Sequence, residues 1–239
     1  MINIDKLCVS YIDENKALKE ISFQIIEGET IGIIGANGAG KSTLLKSMVG
    51  IILPEKGSIE IDNISVSKKN LRAIREKIGV VFQNPDDQLF MSSVYEDVAF
   101  GLRNLGMDES AVKDKATQVL GELGIERLLN KNSSRLSGGE QRMVAIATVL
   151  AMEPRIVLFD EPTSFLDPRT RRKLIHMLKT FTVTKLIATH DLDMALELCD
   201  RIIILREGEL FQQGTAKELL SNKELMEEAG LELPYCLQQ

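Results

Sequence analysis

The feature that most constrains this chain is a short apolar run that ends in glycine and continues into a glycine-rich loop. Residues 30–34 have the pattern of a buried strand, and residues 41–49 have the pattern of a helix. Between them, residues 35–42 read GANGAGKS and fit G-x-x-x-x-G-K-[ST]. Such a loop points successive backbone N–H groups at phosphate oxygens, and the following helix adds the positive end of its dipole. We therefore predict a phosphate-binding loop.

The side chains of this loop have separate predicted roles. Lys41 would reach the β- and γ-phosphates of a nucleotide, and the Ser42 hydroxyl would ligate Mg²⁺. An ordinary glycine-rich turn is the alternative, and the flanking strand and helix argue against it. The predicted nucleotide contacts are Gly35, Ala36, Asn37, Gly38, Ala39, Gly40, Lys41, Ser42 and Thr43.

A second apolar run, residues 156–159, ends in two acidic residues, Asp160 and Glu161. Side chains at the carboxyl end of a strand in an open α/β sheet face the ligand crevice. There Asp160 would hold Mg²⁺ through water, and Glu161 would polarise the attacking water as a general base. The alternative is an acidic turn after a core strand, because Pro162 follows.

The order of strand and helix patterns predicts the fold. Strand and helix alternate from residue 156 to residue 205, which is typical of a parallel sheet with crossover helices. The middle is mostly helical, with helices predicted at 95–105, 109–123 and 140–152 and with Asp108 and Ser137 as caps of the last two. We therefore predict one α/β domain, residues 1–239, with a core of 1–91 and 154–239 and a helical subdomain at about 92–153.

Composition limits the partners and the location of the chain. The net charge of −6 argues against nucleic acid as a partner, because binding a phosphate backbone needs a basic face. Three scattered cysteines indicate a reducing compartment. The first residues carry no signal-peptide pattern, and the longest nearly apolar run, 143–152, is far shorter than the roughly 20 residues that span a bilayer. We expect a cytoplasmic protein that meets a membrane only through a partner.

Residues 136–141 read LSGGEQ, lie between the two motifs and open a helical pattern. This run resembles the signature of the ABC-type ATPases, and the resemblance extends from about residue 11 to 214. It implies a P-loop core with an N-terminal antiparallel β part, a family-specific helical subdomain, and hydrolysis of ATP with Mg²⁺. It also implies a homodimer, or a heterodimer with a related ATPase, in which the signature loop contacts the γ-phosphate held by the opposite subunit. Its predicted contacts are Ser137, Gly138, Gly139 and Glu140.

Other positions fit the same resemblance. Tyr11 matches the aromatic residue that stacks on adenine, with an ordinary core tyrosine as the alternative. Gln83 resembles the Q-loop glutamine that touches Mg²⁺ or the attacking water, and His190 resembles the switch histidine that contacts the γ-phosphate. Residues 164–167 resemble the D-loop, with Phe165 where a small residue is more usual. The resemblance thus implies Glu161, His190 and Lys41 as catalytic residues, and Ser42, Gln83 and Asp160 as metal ligands.

Residues 83–90, QNPDDQLF, are similar to the Q-loop of the ATPases in energy-coupling factor importers, which take up cobalt, nickel or vitamins. Residues 94–101 and 227–234 also resemble that group. The resemblance implies that a transmembrane coupling subunit docks in a groove near Gln83–Phe90, that a separate membrane subunit captures the substrate, and that ATP-driven dimer closure powers import. The chain would then lie peripherally on the inner face of the cell membrane. The alternative for residues 84–87 is simply a good turn.

Three other functions use the same ATP motifs. A soluble ABC ATPase of assembly or remodelling, as in iron–sulfur cluster assembly, differs only around the Q-loop. A DNA-repair type is disfavoured, because residues 43–135 contain no heptad run. A nucleotide-binding regulator without turnover is disfavoured by Glu161 and His190. The transported substrate is not encoded in this chain.

Overall fold

The computed structural model describes residues 1–11 and 16–238. Their strands, in chain order, are β1 (Ile2–Ser10), β2 (Lys16–Ile25), β3 (Thr30–Ile34), β4 (Lys56–Ile61), β5 (Ile64–Ser65), β6 (Ile78–Val81), β7 (Ile156–Asp160), β8 (Thr184–Ala188), β9 (Arg201–Arg206) and β10 (Glu209–Thr215). Their α-helices are α1 (Lys41–Met48), α2 (Leu71–Arg75), α3 (Val94–Asn104), α4 (Glu109–Glu122), α5 (Gly138–Leu150), α6 (Pro168–Thr180), α7 (Leu192–Leu198), α8 (Ala216–Leu220) and α9 (Lys223–Glu228).

The chain divides into two compact units. The P-loop unit consists of Met1–Ile78 and Thr182–Gln239, and the signature unit consists of Gly79–Phe181. The signature unit contains the three central helices α3, α4 and α5 together with β7 and α6. The helical subdomain predicted at about 92–153 stays a prediction.

Two sheets shape the P-loop unit. Strand β1 pairs antiparallel with both β2 and β4, so that Ile2 lies opposite Ile25 on one side and Ile61 on the other. In the second sheet β3 lies between β8 and β9 and is parallel to both, while β10 closes the edge antiparallel to β9. The predicted α/β architecture, a parallel sheet with an N-terminal antiparallel part, is confirmed.

The central strand explains why the phosphate loop has a fixed origin. All five residues of β3 are buried, as expected for a parallel strand covered on both faces. Gly32 leaves room for its neighbours, because a Cβ there would lie 2.5 Å from Ile202 and 3.0 Å from the Cys199 sulfur. Strand β3 therefore delivers Gly35 to the edge of the sheet on a rigid support.

In the signature unit, α5 forms the apolar centre and packs against α3 and α4. Most of its residues are buried, and a Cβ on Gly79 of β6 would meet the Val149 side chain at 2.2 Å. The observed helices start and end within two residues of the predicted ones. Helix α5 begins at residue 138 rather than at 140, because Ser137 caps it directly.

Among residues 1–11 and 16–238, none of the helices combines the length and the apolar character that a bilayer crossing requires.

Candidate active site

The glycine-rich loop curls between β3 and α1. Gly38 and Gly40 have φ angles of 81° and 103°, in the left-handed region that glycine adopts without steric cost. The Ala39 N–H donates to the Ala36 carbonyl at 3.1 Å and tightens the curve. A chain bent this way turns its N–H groups to one side, which is the arrangement that binds an anion.

Lys41 is the first residue of α1, and its side chain is only 8% exposed. Its ammonium group donates to the Gly35 carbonyl at 2.7 Å and to the Ala36 carbonyl at 3.2 Å. The positive charge is therefore folded back across the loop, where it can meet the charge of a bound phosphate. Ser42 follows it in the first turn of α1.

Tyr11 is joined to the phosphate loop through α1. Its hydroxyl lies 2.9 Å from the Thr43 hydroxyl, and either can donate. The residue is 45% exposed, so Tyr11 is not an ordinary core tyrosine. A ring tied at its hydroxyl and partly open to solvent is suited to stacking on a flat ligand group.

His190 lies at the carboxyl end of β8, the strand beside β3. The Thr189 N–H donates to the Ile33 carbonyl at 3.1 Å, which extends the pairing of β3 and β8 as far as Thr189, the residue before His190. Beyond it the Asp191 side chain accepts from the Met194 N–H and caps α7. Because β3 and β8 are parallel, His190 is at the same edge of the sheet as the phosphate loop.

The acidic pair ends β7 in the signature unit. Asp160 and Glu161 are only 5% and 6% exposed. Glu161 has a φ of 49°, a left-handed conformation that is uncommon for residues other than glycine. Backbone strain of this kind costs about 1–3 kcal/mol and concentrates at functional sites. The buried Glu161 thus combines a costly backbone conformation with a carboxylate removed from water.

Gln83 follows β6, and its backbone is fixed by a residue that the sequence did not single out. Arg142, on α5, donates from its two terminal nitrogens to the carbonyls of Phe82 and Gln83. Burial lowers the pKa of the Arg142 guanidinium, and the charges of Asp160 and Glu161 act in the opposite direction. The only sequence signal for Arg142 is a basic residue directly before the apolar run at 143–152.

The signature loop forms a complete capping box at the start of α5. The Ser137 hydroxyl accepts from the Glu140 N–H at 3.3 Å, and the Glu140 carboxylate accepts from the Ser137 N–H at 3.1 Å. This second bond is the main reason that the pKa of Glu140 is lowered, and Arg127 contributes an ion pair at 2.8 Å. Gly138 and Gly139 lie in the first turn, whose N–H groups have no acceptor within the helix.

Phe165 differs from its neighbours in both conformation and exposure. It has a φ of 65° and is 80% exposed, although a large apolar side chain is disfavoured in both respects. It lies near the signature loop, because a Cβ on Gly138 would be 3.9 Å from the Phe165 Cβ. Asp167 then caps α6 through the N–H groups of Arg169 and Thr170.

The predicted residues thus form two groups, each within one unit. The P-loop unit holds Tyr11, the loop from Gly35 to Thr43, and His190, and the signature unit holds Gln83, Ser137 to Glu140, Asp160 and Glu161. The described part of the chain has no cluster of three or more His, Cys, Asp or Glu residues that could hold a metal. The predicted magnesium ligands are instead a hydroxyl, an amide and one carboxylate. These oxygen donors suit Mg²⁺, which is bound by few protein ligands and completes its shell with water and phosphate.

Comparison with known proteins shows the family to which the chain belongs. A family model described as ABC transporter matches residues 18–164. The putative ABC transporter ATP-binding protein GSU1281 of Geobacter sulfurreducens is 45% identical over 238 residues, which cover all of this chain and 96% of that protein. The energy-coupling factor transporter ATP-binding protein EcfA of Methanosphaera stadtmanae is 42% identical over 240 residues, which cover 98% of this chain and 86% of that protein.

Two solved structures are also similar. The cbiO1 protein of Clostridium perfringens, described as part of the ABC transporter complex cbiONQ, has a TM-score of 0.83 and 40% identity, and the match covers 98% of this chain and 96% of that one. The ATP-binding cassette MJ0796, a dimer bound to ADP and Pi, has a TM-score of 0.84 and 32% identity, with 90% and 99% covered. The chain therefore belongs to the ABC transporter family, as an ATPase of the energy-coupling factor type that hydrolyses ATP with Mg²⁺.

Proposed function

We propose that this chain powers an energy-coupling factor importer from the inner face of the cell membrane. ATP-driven pairing with a second ATPase subunit would move a transmembrane coupling subunit, and a separate membrane subunit would capture the substrate, a metal ion such as cobalt or nickel, or a vitamin. The relatives named for energy-coupling factor transporters and for the cbiONQ complex support this proposal.

The observation that carries it is an exposed pair of aromatic residues beside the Q-loop. Phe90 and Phe100 meet edge to face, with ring centroids 5.1 Å apart and an interplanar angle of 83°. They are 63% and 41% exposed, which leaves a large apolar surface in water. Exposed apolar patches of this kind mark surfaces that bind a partner.

The aromatic pair is also held rigidly. The buried Asp97 carboxylate accepts from the N–H groups of Phe90 and Met91 at 3.0 and 2.9 Å, and Ser133 donates to its other oxygen. Since Asp97 is on α3, the helix that also carries Phe100, both rings share one support. A rigid apolar surface suits the helix of a membrane partner, because little side-chain ordering is needed on docking.

Within the ATP site, some residues would bind the nucleotide and Mg²⁺, and others would take part in hydrolysis. The backbone of the phosphate loop and Lys41 would bind the triphosphate, and Tyr11 would stack on adenine. Ser42, Asp160 and Gln83 would hold Mg²⁺, which supplies charge neutralisation on the phosphates when bound. Glu161 would take the proton of the attacking water, and His190 would contact the γ-phosphate. Ser137, Gly138, Gly139 and Glu140 would face the nucleotide of a second subunit, identical or related, as the dimeric state of MJ0796 suggests.

The test is co-purification from membranes of the source cell, with the chain tagged. We expect an integral membrane protein to accompany the wild-type chain, and the double variant Phe90→Ala/Phe100→Ala to recover at least about tenfold less of it. The wild-type chain and the double variant should hydrolyse ATP at the same rate. Tyr235→Ala is the matched control, since that ring is 80% exposed in the P-loop unit.

Equal recovery with the double variant would contradict docking at this aromatic pair. A wild-type chain that brings down no integral membrane protein would contradict the importer role. If a soluble scaffold protein took its place, assembly or remodelling would become the favoured function.

A further inference from the structure

The fully buried Arg142 has no role in the functions described so far. Its side chain is 0% exposed, and it is the largest fully buried side chain among the described residues. Its Nε is buried without a hydrogen-bond partner in residues 1–11 and 16–238. A buried charge with an unmatched donor is destabilising compared with an apolar residue of similar size, so packing alone does not account for it.

The contacts of Arg142 lie on the Q-loop backbone. Its two terminal nitrogens donate to the carbonyls of Phe82 and Gln83, which are 60 and 59 residues away in the sequence. The planar guanidinium is suited to this, because it offers two donors in a fixed fork. The two carbonyls, and with them the start of the Q-loop, are thereby fixed to α5.

A second side chain fixes the same segment to the same helix. The side-chain oxygen of Gln88, Oε1, accepts from the Phe82 N–H at 3.2 Å. Its amide nitrogen donates to the Ala145 carbonyl at 2.7 Å and to the Thr148 hydroxyl at 2.8 Å. Phe82 is thus held through both its N–H and its carbonyl, each time by a group anchored on α5.

Charge links Arg142 to the acidic end of β7. The negative charges of Asp160 and Glu161 favour the charged guanidinium, whereas burial disfavours it. Arg142 therefore donates a hydrogen bond to the Gln83 carbonyl and is also stabilised in its charged form by the negative charge of Glu161. All three residues belong to the same compact unit.

We propose that Arg142 is a positioning residue for ATP hydrolysis, one that fixes the start of the Q-loop at Gln83 to the signature helix α5, in the same compact unit as the buried Glu161. This inference rests on the proposed roles of Gln83 and Glu161. Arg142 acts through the Q-loop, because its hydrogen bonds go to the backbone carbonyls of Phe82 and Gln83.

The test uses Arg142→Met in the full chain, with phosphate release measured across ATP concentrations. We expect kcat to fall by about 10–100-fold, as is usual when a group that supports an active-site residue is lost. The KM for ATP should change by less than about threefold, because the nucleotide is gripped by the phosphate loop. Arg142→Lys should rescue only part of kcat, since an ammonium is a point charge without the guanidinium fork. Arg103→Met is the matched control, a half-buried arginine of the signature unit that pairs with Glu96 and Glu109, and should leave kcat unchanged.

Two further measurements separate positioning from general support of the fold. Adding Arg142→Met to Gln83→Ala should lower kcat no further than the worse single variant, because both act on the same step. In the nucleotide-free chain, hydrogen exchange at residues 82–88 should be faster in Arg142→Met and unaltered in Arg103→Met.

A folded Arg142→Met chain with wild-type kcat would overturn the proposal. It would also be overturned if the fold-loss of kcat in the double variant equalled the product of the losses in Arg142→Met and Gln83→Ala. If Arg142→Met does not fold, Arg142→Lys decides, and wild-type kcat in the folded lysine variant has the same meaning. If Glu161→Gln keeps full turnover, the proposed role of Glu161 fails. If Glu161→Gln abolishes turnover while Arg142→Met does not change it, only the positioning role fails.

Discussion

The phosphate loop of the P-loop unit and the acidic end of β7 in the signature unit present their candidate site residues by opposite means. In the P-loop unit the site is made mainly of backbone, with glycines at positive φ and a lysine folded over their carbonyls. At the end of β7 the site is made of buried side chains, with Asp160, Glu161 and the nearby charge of Arg142 almost entirely removed from water. One arrangement turns N–H groups toward a space that suits an anion, and the other keeps carboxylates out of water, as the proposed chemistry would require.

This difference teaches which consequences to expect from mutation. A backbone site tolerates loss of a single side chain in its turnover step but loses affinity, because each N–H and the lysine contribute to binding. A buried-charge site loses rate while the ligand still binds. Binding and chemistry should therefore separate between the phosphate loop and the acidic end of β7.

The largest expected effect is that of Glu161→Gln on turnover. Loss of a positioned general base lowers kcat by about 10²–10⁴-fold, while ATP still binds to the phosphate loop. The variant should accumulate in the ATP-bound, paired state. Phosphate release and the mass of the complex in sedimentation, with ATP and with ADP, check both statements. Turnover at the wild-type rate would show that Glu161 is not the base.

Next in size is the effect of Lys41→Ala on affinity. A charged hydrogen bond to phosphate contributes about 1.5–3 kcal/mol, so the dissociation constant for ATP should rise by about 10–100-fold. Titration calorimetry measures it directly. An unchanged dissociation constant would remove Lys41 from the binding group, whatever its effect on rate.

Substitutions at two glycines of the phosphate loop should lower the free energy of unfolding by different amounts. A Cβ at Gly40 would lie 2.7 Å from the Leu18 side chain and 2.8 Å from the Ala17 carbonyl, whereas a Cβ at Gly38 would meet nothing within 4 Å. Both have positive φ, so Gly38→Ala should cost about 1 kcal/mol through backbone strain alone, and Gly40→Ala about 2 kcal/mol or more. Urea unfolding of both variants checks this order, and equal losses would mean that the contacts at Gly40 are not tight.

The smallest expected effect is a gain in stability from Phe165→Gly. The phenylalanine is 80% exposed, so its removal loses little burial, while glycine relieves the left-handed strain at φ 65°. After the entropy cost of glycine the net gain should be about 0.5 kcal/mol. Phe165→Ala, which keeps the strain, should show no gain in the same unfolding experiment. A destabilised glycine variant would instead reveal contacts of the ring that hold the loop.

The same contrast decides what the sequence could predict. The phosphate loop is contiguous and needs glycine, lysine and a hydroxyl at fixed spacing, so it can be recognised from the sequence alone. The caps of α4 and α5 are also local, and the predicted Asp108 and Ser137 are confirmed in that role. The fold class followed from the alternation of strands and helices, since buried parallel strands read as apolar runs.

Arg142 could not be predicted in this way. Its partners are backbone carbonyls about 60 residues distant, and a carbonyl leaves no trace in the sequence of Phe82 or Gln83. The strained φ of Glu161 is equally invisible, because it depends on the turn that the folded unit imposes. The arrangement of Gln83 and Glu161 thus depends on tertiary structure, whereas the phosphate loop is encoded locally.

The most direct test measures ATP affinity and turnover on the same preparations of Lys41→Ala and Glu161→Gln. The separation of binding from chemistry predicts that the lysine variant loses affinity by about 10-fold or more, while the glutamine variant keeps wild-type affinity and loses at least about 100-fold in kcat. If both variants lost affinity and turnover in the same proportion, binding and chemistry would not be divided between the phosphate loop and the acidic end of β7.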